Sequence, residues 1–361
     1  MSYEESKFGD GAPRAQLKLV TVLFRHGDRT PEVNGAGGES YPTDPTLDPK
    51  NNFFPVGPGG LTNEGKKREL ALGRALRCRY DTFLGPTYYP AVVKARSTDY
   101  ERTKMSLQLV LYGIFPPVGN QQWESGASWQ PIPTDYWHKE KDCILRPDLC
   151  PKSIAASSRY QASKGHIDLE NELLDLAKHL SEVSGEKYTS IADLAFLYIR
   201  TAQEDSLGHP IPDYLKGVYP KGQLLKAAAF FFGLQNGNDE IRRLYGGKLL
   251  RKITDDFKNV RDGTITDGRK LYLYSAHDIN VAALLSTLGI WEAHMPQYSS
   301  AVITELWENE GKYYIKIVRW LGIPPEFVEV TLPGCEKLCL LENFLKIKKN
   351  VIATDEDLMC H

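Results

Sequence analysis

A chain of 361 residues is long enough for one large domain or two modest ones. An apolar share of 42% and a charged share of 25% are those of an ordinary globular protein, and a net charge of −2 gives no reason to expect nucleic acid or an anionic membrane as partner. Any attraction for anions must therefore come from a local cluster of positive groups.

Residues 1–14 are polar and lack the apolar centre of a signal peptide, so the chain is expected to be either intracellular or one whose signal has been removed. No stretch approaches the roughly 20 apolar residues of a membrane-spanning helix. The run Leu17 to Phe24 is apolar and β-branched enough for a buried strand, and it stops abruptly at Arg25-His26-Gly27-Asp28-Arg29-Thr30-Pro31. Gly57-Pro58-Gly59-Gly60 lacks the Lys-Ser/Thr of a nucleotide-binding loop and predicts a turn. Thr62 can cap a helix running to about Tyr80, with Leu70, Leu72 and Leu76 among its apolar positions. Pro90 to Lys94 predicts a second strand, ending at Ala95-Arg96-Ser97-Thr98-Asp99 and leading into a helix over Tyr100 to Phe115.

The following segment differs in character. A loop rich in Trp and Pro (Trp123, Trp129, Pro131, Pro133) leads to predicted helices at Asp168 to Val183, Ile191 to Ala202 and Gln223 to Phe232. Ser190 and Asp193 have the form of a capping box for the second of these. A third strand, Lys270 to Tyr274, ends at Ser275-Ala276-His277-Asp278 and runs into a helix over Ile279 to Leu288. Strand signals close the chain at Ala301 to Leu306 and Tyr313 to Trp320, and Lys346 to Lys349 predicts a solvated charged face. The pattern predicts an α/β core, residues 15–120 and 246–361, with a mostly helical insertion over 121–245.

In an open α/β sheet, ligands bind beyond the carboxyl ends of the strands, where helix N-termini also favour anions. All three polar motifs fall on that edge. Charges directly after a buried strand are costly unless an anion or a carboxylate compensates them. Arginines bind phosphate oxygens through paired charge-assisted bonds, and their charge disfavours protonation of a neighbouring imidazole. A neutral imidazole is a competent nucleophile for phosphorus, and fixed guanidinium groups stabilise the transferring phosphoryl. These residue types point to His26 as nucleophile, Arg25, Arg29, Arg96 and His277 as phosphate ligands, and Asp278 as proton donor to the leaving alcohol. Gly27 is expected to let a ligand approach the backbone and Pro31 to stiffen the exit.

Arg25 to Pro31 resembles the RHGxRxP signature of the histidine acid phosphatases, and His277-Asp278 their second catalytic pair. The likeness extends to Leu61-Thr62-x-Glu64-Gly65, Arg96-Ser97-Thr98-Asp99-x-x-Arg102-Thr103 and Pro333-Gly334-Cys335, and covers the chain from about Leu17 to Cys360. Thr103 to Leu111, Tyr298-Ser299-Ser300 and Leu321 to Pro324 are similar to the insect venom branch, with prostatic and lysosomal acid phosphatases next. The resemblance implies a phosphoglycerate-mutase-like α/β fold, a central mixed sheet flanked by helices, with an inserted helical cap. It also implies a two-step reaction through a phosphohistidine on His26, no metal or other cofactor, a secreted or lysosomal setting, and a homodimer.

Six cysteines form no paired zinc pattern. A local disulfide between Cys335 and Cys339 is plausible after Pro333-Gly334. The resemblance implies that bridge and one between Cys150 and Cys360, leaving Cys78 and Cys143 unassigned. No Asn-x-Ser/Thr site is present. His138, His166, His179, His209 and His294 read as surface or satisfied core residues, with His166 or Trp137 a weaker candidate to face the pocket; Phe230 to Phe232 read as packing. A phytase-like phosphotransferase, or a secreted venom or salivary protein whose activity is incidental, are the competing readings.

Overall fold

The computed structural model describes residues 15–32, 53, 55–163, 168–265, 267–322 and 325–360. In chain order the elements are β1 Gln16–Arg25, α1 Asn63–Leu84, β2 Val93–Ser97, α2 Glu101–Ile114, β3 Asp135–Tyr136, α3 Pro151–Ser163, α4 Asp168–Ser184, α5 Ile191–Ser206, α6 Gln223–Gly233 and α7 Asp239–Leu244. They continue with α8 Gly246–Arg261, β4 Leu271–Ala276, α9 Asp278–Leu288, β5 Ala301–Asn309, β6 Lys312–Gly322, β7 Pro325–Val330, β8 Cys339–Leu340, α10 Leu341–Ile347 and α11 Asp355–Leu358.

The strands form one mixed sheet in the order β3-β2-β4-β1-β5-β6-β7, with β8 paired to β6. β2, β4 and β1 run parallel; β5 turns antiparallel beside β1. Successive strand residues face opposite sides of a sheet, and this period divides the core in two. Val20, Val22 and Phe24 of β1 pack with Leu72 and Leu76 of α1 and Leu107 and Val110 of α2. Leu19 and Leu23 pack on the other face with Ile253 and Phe257 of α8 and Val281, Leu284 and Leu288 of α9. The helices α4, α5 and α6 bury a separate apolar cluster around Leu173, Leu194 and Leu224.

The helix ends follow local chemistry. The Thr62 hydroxyl accepts from Gly65 N at 3.1 Å at the start of α1, and Tyr80, where the helix was expected to end, has non-helical dihedrals (φ −115°, ψ 21°) before one further turn. Ser190 and Asp193 form the expected capping box. Within the lysine run read as a solvated face, Lys348 is buried, and its ammonium donates to Leu288 O at 2.6 Å, closing the C-terminus of α9. Cys150 is joined to Cys360 and Cys335 to Cys339, while Cys78 and Cys143 are free thiols. Lys248, fully buried on α8, donates to the sulfurs of Cys150 and Cys360 at 3.3 and 3.4 Å. Among the described residues no helix is long and apolar enough to cross a membrane, and no cluster of His, Cys, Asp and Glu could hold a metal ion.

Candidate active site

The ends of β1, β4 and β2 lie side by side: Arg25 is paired with Ala276 and Ser97 with Ser275. The residues just beyond them therefore meet. His26 and His277 face each other with ring centroids 5.4 Å apart. Strand alternation sends the Arg25 side chain to the α9 side, where its Nη2 pairs with Asp278 Oδ2 at 2.8 Å. The other Asp278 oxygen accepts from Ile279 N at 2.8 Å, in the first turn of α9. Arg25 Nη1 also donates to Pro296 O at 2.5 Å, and its guanidinium lies 3.9 Å from the centre of the Tyr298 ring.

His26 is buried, and its Nδ1 lies 2.8 Å from Gly27 O. A carbonyl only accepts, so Nδ1 carries the hydrogen and Nε2 carries the lone pair. That nitrogen accepts from Arg102 Nε at 3.1 Å. Burial, then the charges of Arg102, Arg25 and Arg29 together with His277, hold the His26 pKa well below the ordinary histidine value. His277 is likewise pushed well below it, by burial and by Arg102, Arg146, Arg29 and Arg25. Its Nε2 lies 3.0 Å from Thr98 Oγ1 and its backbone N donates to Asn280 Oδ1 at 3.1 Å, which fixes the ring at the head of α9. Tyr100 packs edge-on against His277 and lies under the guanidinium groups of both Arg102 and Arg146.

The loop after β1 is built onto the start of α1. Thr62 N donates to Asp28 O at 2.9 Å, Thr30 N to Gly60 O at 3.0 Å, and Asp28 Oδ2 lies 2.9 Å from Arg68 Nε. A Cβ on Gly27 would stand 2.6 Å from Gly65 O, and one on Gly65 would stand 2.3 Å from Asp28 O. The reason for glycine at position 27 is thus backbone-to-backbone packing against the helix, rather than the approach of a ligand expected from the sequence.

Five of the six predicted residues gather in this pocket: Arg25, His26, Arg29, His277 and Asp278. Arg29 is buried, donates to Thr30 O at 3.1 Å and acts electrostatically on both imidazoles. Arg96 is placed differently. It lies within β2, on the face opposite Ala95, where it pairs with buried Asp142 at 2.5 Å and stacks on Trp137 at 4.4 Å. The guanidinium at His26 is that of Arg102, the second residue of α2, which also pairs with Glu32. Burial and the charge of Arg29 lower the Arg102 pKa. A signal for Arg102 was present in the sequence: a cation in the first turn of a helix opposes the helix dipole and calls for an anion beside it. Trp137 is half exposed and meets Arg96; His166 lies outside the described residues.

The site is an imidazole of depressed pKa within a buried cluster of guanidinium groups at the carboxyl edge of an α/β sheet. The profile described as histidine phosphatase superfamily (branch 2) matches residues 16–319, and the chain belongs to that family. Within it, the chain is 41% identical over 348 residues to venom acid phosphatase Acph-1 of Apis mellifera, covering 96% of this chain and 88% of that protein. It is 32% identical over 355 residues to the lysosomal acid phosphatase of Homo sapiens (95% and 80%) and 30% identical over 351 residues to the human prostatic acid phosphatase (96% and 88%). The fold is shared with a phytase of Klebsiella sp. ASR1, with a TM-score of 0.66 at 16% identity over 96% of this chain and 99% of that one. The chain is thus a histidine acid phosphatase, a hydrolase of phosphate monoesters.

Proposed function

We propose that this acid phosphatase works through His26 Nε2, which attacks the phosphorus of a phosphate monoester and forms a phosphohistidine. The observation that carries this reading is the pair of contacts on the His26 ring: Nδ1 spent on Gly27 O, Nε2 presented with its lone pair to Arg102. Arg25, Arg29 and Arg102, the last in the role first read for Arg96, supply the positive field for the phosphoryl oxygens, with His277 beside them. A phosphate dianion entering this cluster competes with Nε2 for the Arg102 N–H and with Asp278 for Arg25. The nitrogen lone pair is then free for phosphorus, and Asp278 in its acid form stands beside the site to pass its proton to the departing alkoxide. Water then attacks phosphorus and gives a proton to the Asp278 carboxylate, the P–N bond breaks, and inorganic phosphate, the neutral imidazole and the acid form of Asp278 are regenerated.

The wider setting follows from the relatives and the cysteines. A secreted or lysosomal location is supported by the venom and lysosomal names of the relatives and by the two disulfides, which suit an oxidising compartment. The helices within residues 121–245 are read as a cap over the pocket, supported by α5, whose Gln203 Nε2 lies 3.3 Å from Tyr298 Oη. A homodimer is supported by resemblance to the acid phosphatases. Release of phosphate from 4-nitrophenyl phosphate, phosphotyrosine and phytate by the wild type and by His26→Ala tests the reading. Activity on the first two that vanishes with the imidazole is expected; activity surviving the substitution contradicts it.

A further inference from the structure

The nucleophile's own peptide is held from outside the pocket. Four contacts tie Arg25 and His26 to the segment before β5: Pro296 O and the Tyr298 ring on the Arg25 side chain, Ser300 O on Arg25 N at 2.9 Å, and Ser299 N on His26 O at 3.3 Å. Ser299 has a left-handed φ of 59°, a backbone conformation that a non-glycine residue keeps only when its surroundings impose it. Its hydroxyl donates to Glu69 Oε1 at 2.8 Å. Glu69 lies one helical turn beyond Gly65, on the face of α1 that meets the loop after β1.

Glu69 is fully buried, its second oxygen has no hydrogen-bond partner, and among the described residues no cation contacts it. A carboxylate in that position is costly. Burial and the nearby charge of Asp28 push the Glu69 pKa well above the ordinary carboxylate value. Nothing in the core requires a polar residue there: Leu72 and Leu76, further along the same helix, are apolar. The polar choice at position 69 is accounted for by Ser299.

We propose that Glu69 is a positioning residue of the phosphatase reaction, holding Ser299 and through the Ser299 amide the carbonyl of His26. This rests on His26 being the nucleophile. The chain of contacts runs Glu69 to Ser299 to His26, and its function is to fix where the imidazole stands relative to the bound phosphate. A misplacement of about 1 Å at a reacting group costs on the order of 100-fold in rate.

Steady-state kinetics on 4-nitrophenyl phosphate, with thermal melts alongside, test the proposal. Glu69→Ala is expected to lower kcat about 10- to 100-fold with little change in KM, and Glu69→Gln, which keeps a neutral group of the same shape, to recover most of that loss. Should Glu69→Ala fail to fold, Ser299→Gly gives the same readout, because glycine accepts the left-handed φ and only the hydroxyl is lost. A selective fall in kcat there supports the proposal. Unchanged kcat in Glu69→Ala or Ser299→Gly, or Glu69→Gln as impaired as Glu69→Ala, overturns it. Failure of the nucleophile assignment is distinct: it would show as a His26→Ala protein with wild-type activity.

Discussion

Arg102 Nε donates to His26 Nε2 at 3.1 Å, so the cation that lowers the basicity of the imidazole sits on the very atom that must attack phosphorus. This contact and the Arg96–Asp142 pair separate two arginines that lie six residues apart. Arg102→Ala is expected to lower kcat roughly 100- to 1,000-fold, the range for loss of one fixed donor in a transition state. Its acid limb should move to higher pH, because His26 is relieved of a neighbouring positive charge. Arg96→Ala should act on stability instead, losing roughly 3 kcal/mol because buried Asp142 is left without its cation, with kcat close to that of the wild type. Parallel kinetics and denaturant melts distinguish the two; a large kcat loss confined to Arg96→Ala would contradict the placement.

The pH dependence of stability follows from the direction of the buried shifts. His26 has a folded pKa well below the unfolded value of about 6.5, so between those two values the unfolded chain binds more protons. Stability is therefore retained above about 6.5 and lost as pH falls towards the depressed pKa. His26→Gln removes this contribution, and its Tm should fall less than that of the wild type between pH 7 and 5. Glu69 has the opposite sign. Its folded pKa is raised, so its contribution is full below about 4.5 and lost as pH rises towards the folded value. Glu69→Gln should gain stability relative to the wild type on going from pH 4.5 to 7. Melting curves across this range check both signs.

A Cβ on Gly27 would meet the Gly65 backbone and one on Gly65 the Asp28 backbone, atoms that cannot swing aside as a side chain could. Gly27→Ala should therefore displace the loop after β1 from α1, costing about 2–3 kcal/mol and most of the activity, as overpacking at a rigid contact does. Ala at either position with an unchanged melt and kcat would contradict the contact.

Much of this was legible in the sequence because the three apolar runs that became β1, β2 and β4 each stop at a sudden polar motif. Parallel pairing then brings Arg25, His26, His277 and Asp278 to one edge. What the sequence concealed were strand ends and close approaches. β2 continues to Ser97, so Arg96 belongs to the strand, where it is held by Asp142, while Arg102 enters from α2 and contacts His26. The helix α8 was not read because it opens with Gly246-Gly247, which resembles a turn; there the glycines serve contact, since a Cβ would stand 2.3 Å from Ala283 O and 2.1 Å from Val351 O. Lys348 resembles a surface lysine until the C-terminus of α9 is placed against it. Glu69 likewise looks like an exposed helix residue until the segment before β5 is laid over it.

The most direct measurement is the position of the covalent phosphoryl group. Enzyme mixed with radiolabelled phosphate monoester, stopped in denaturant within a turnover and kept alkaline to preserve a P–N bond, should carry its label on His26. His26→Ala should carry none. Label on an aspartate or cysteine, or a labelled His26→Ala protein, would contradict the account.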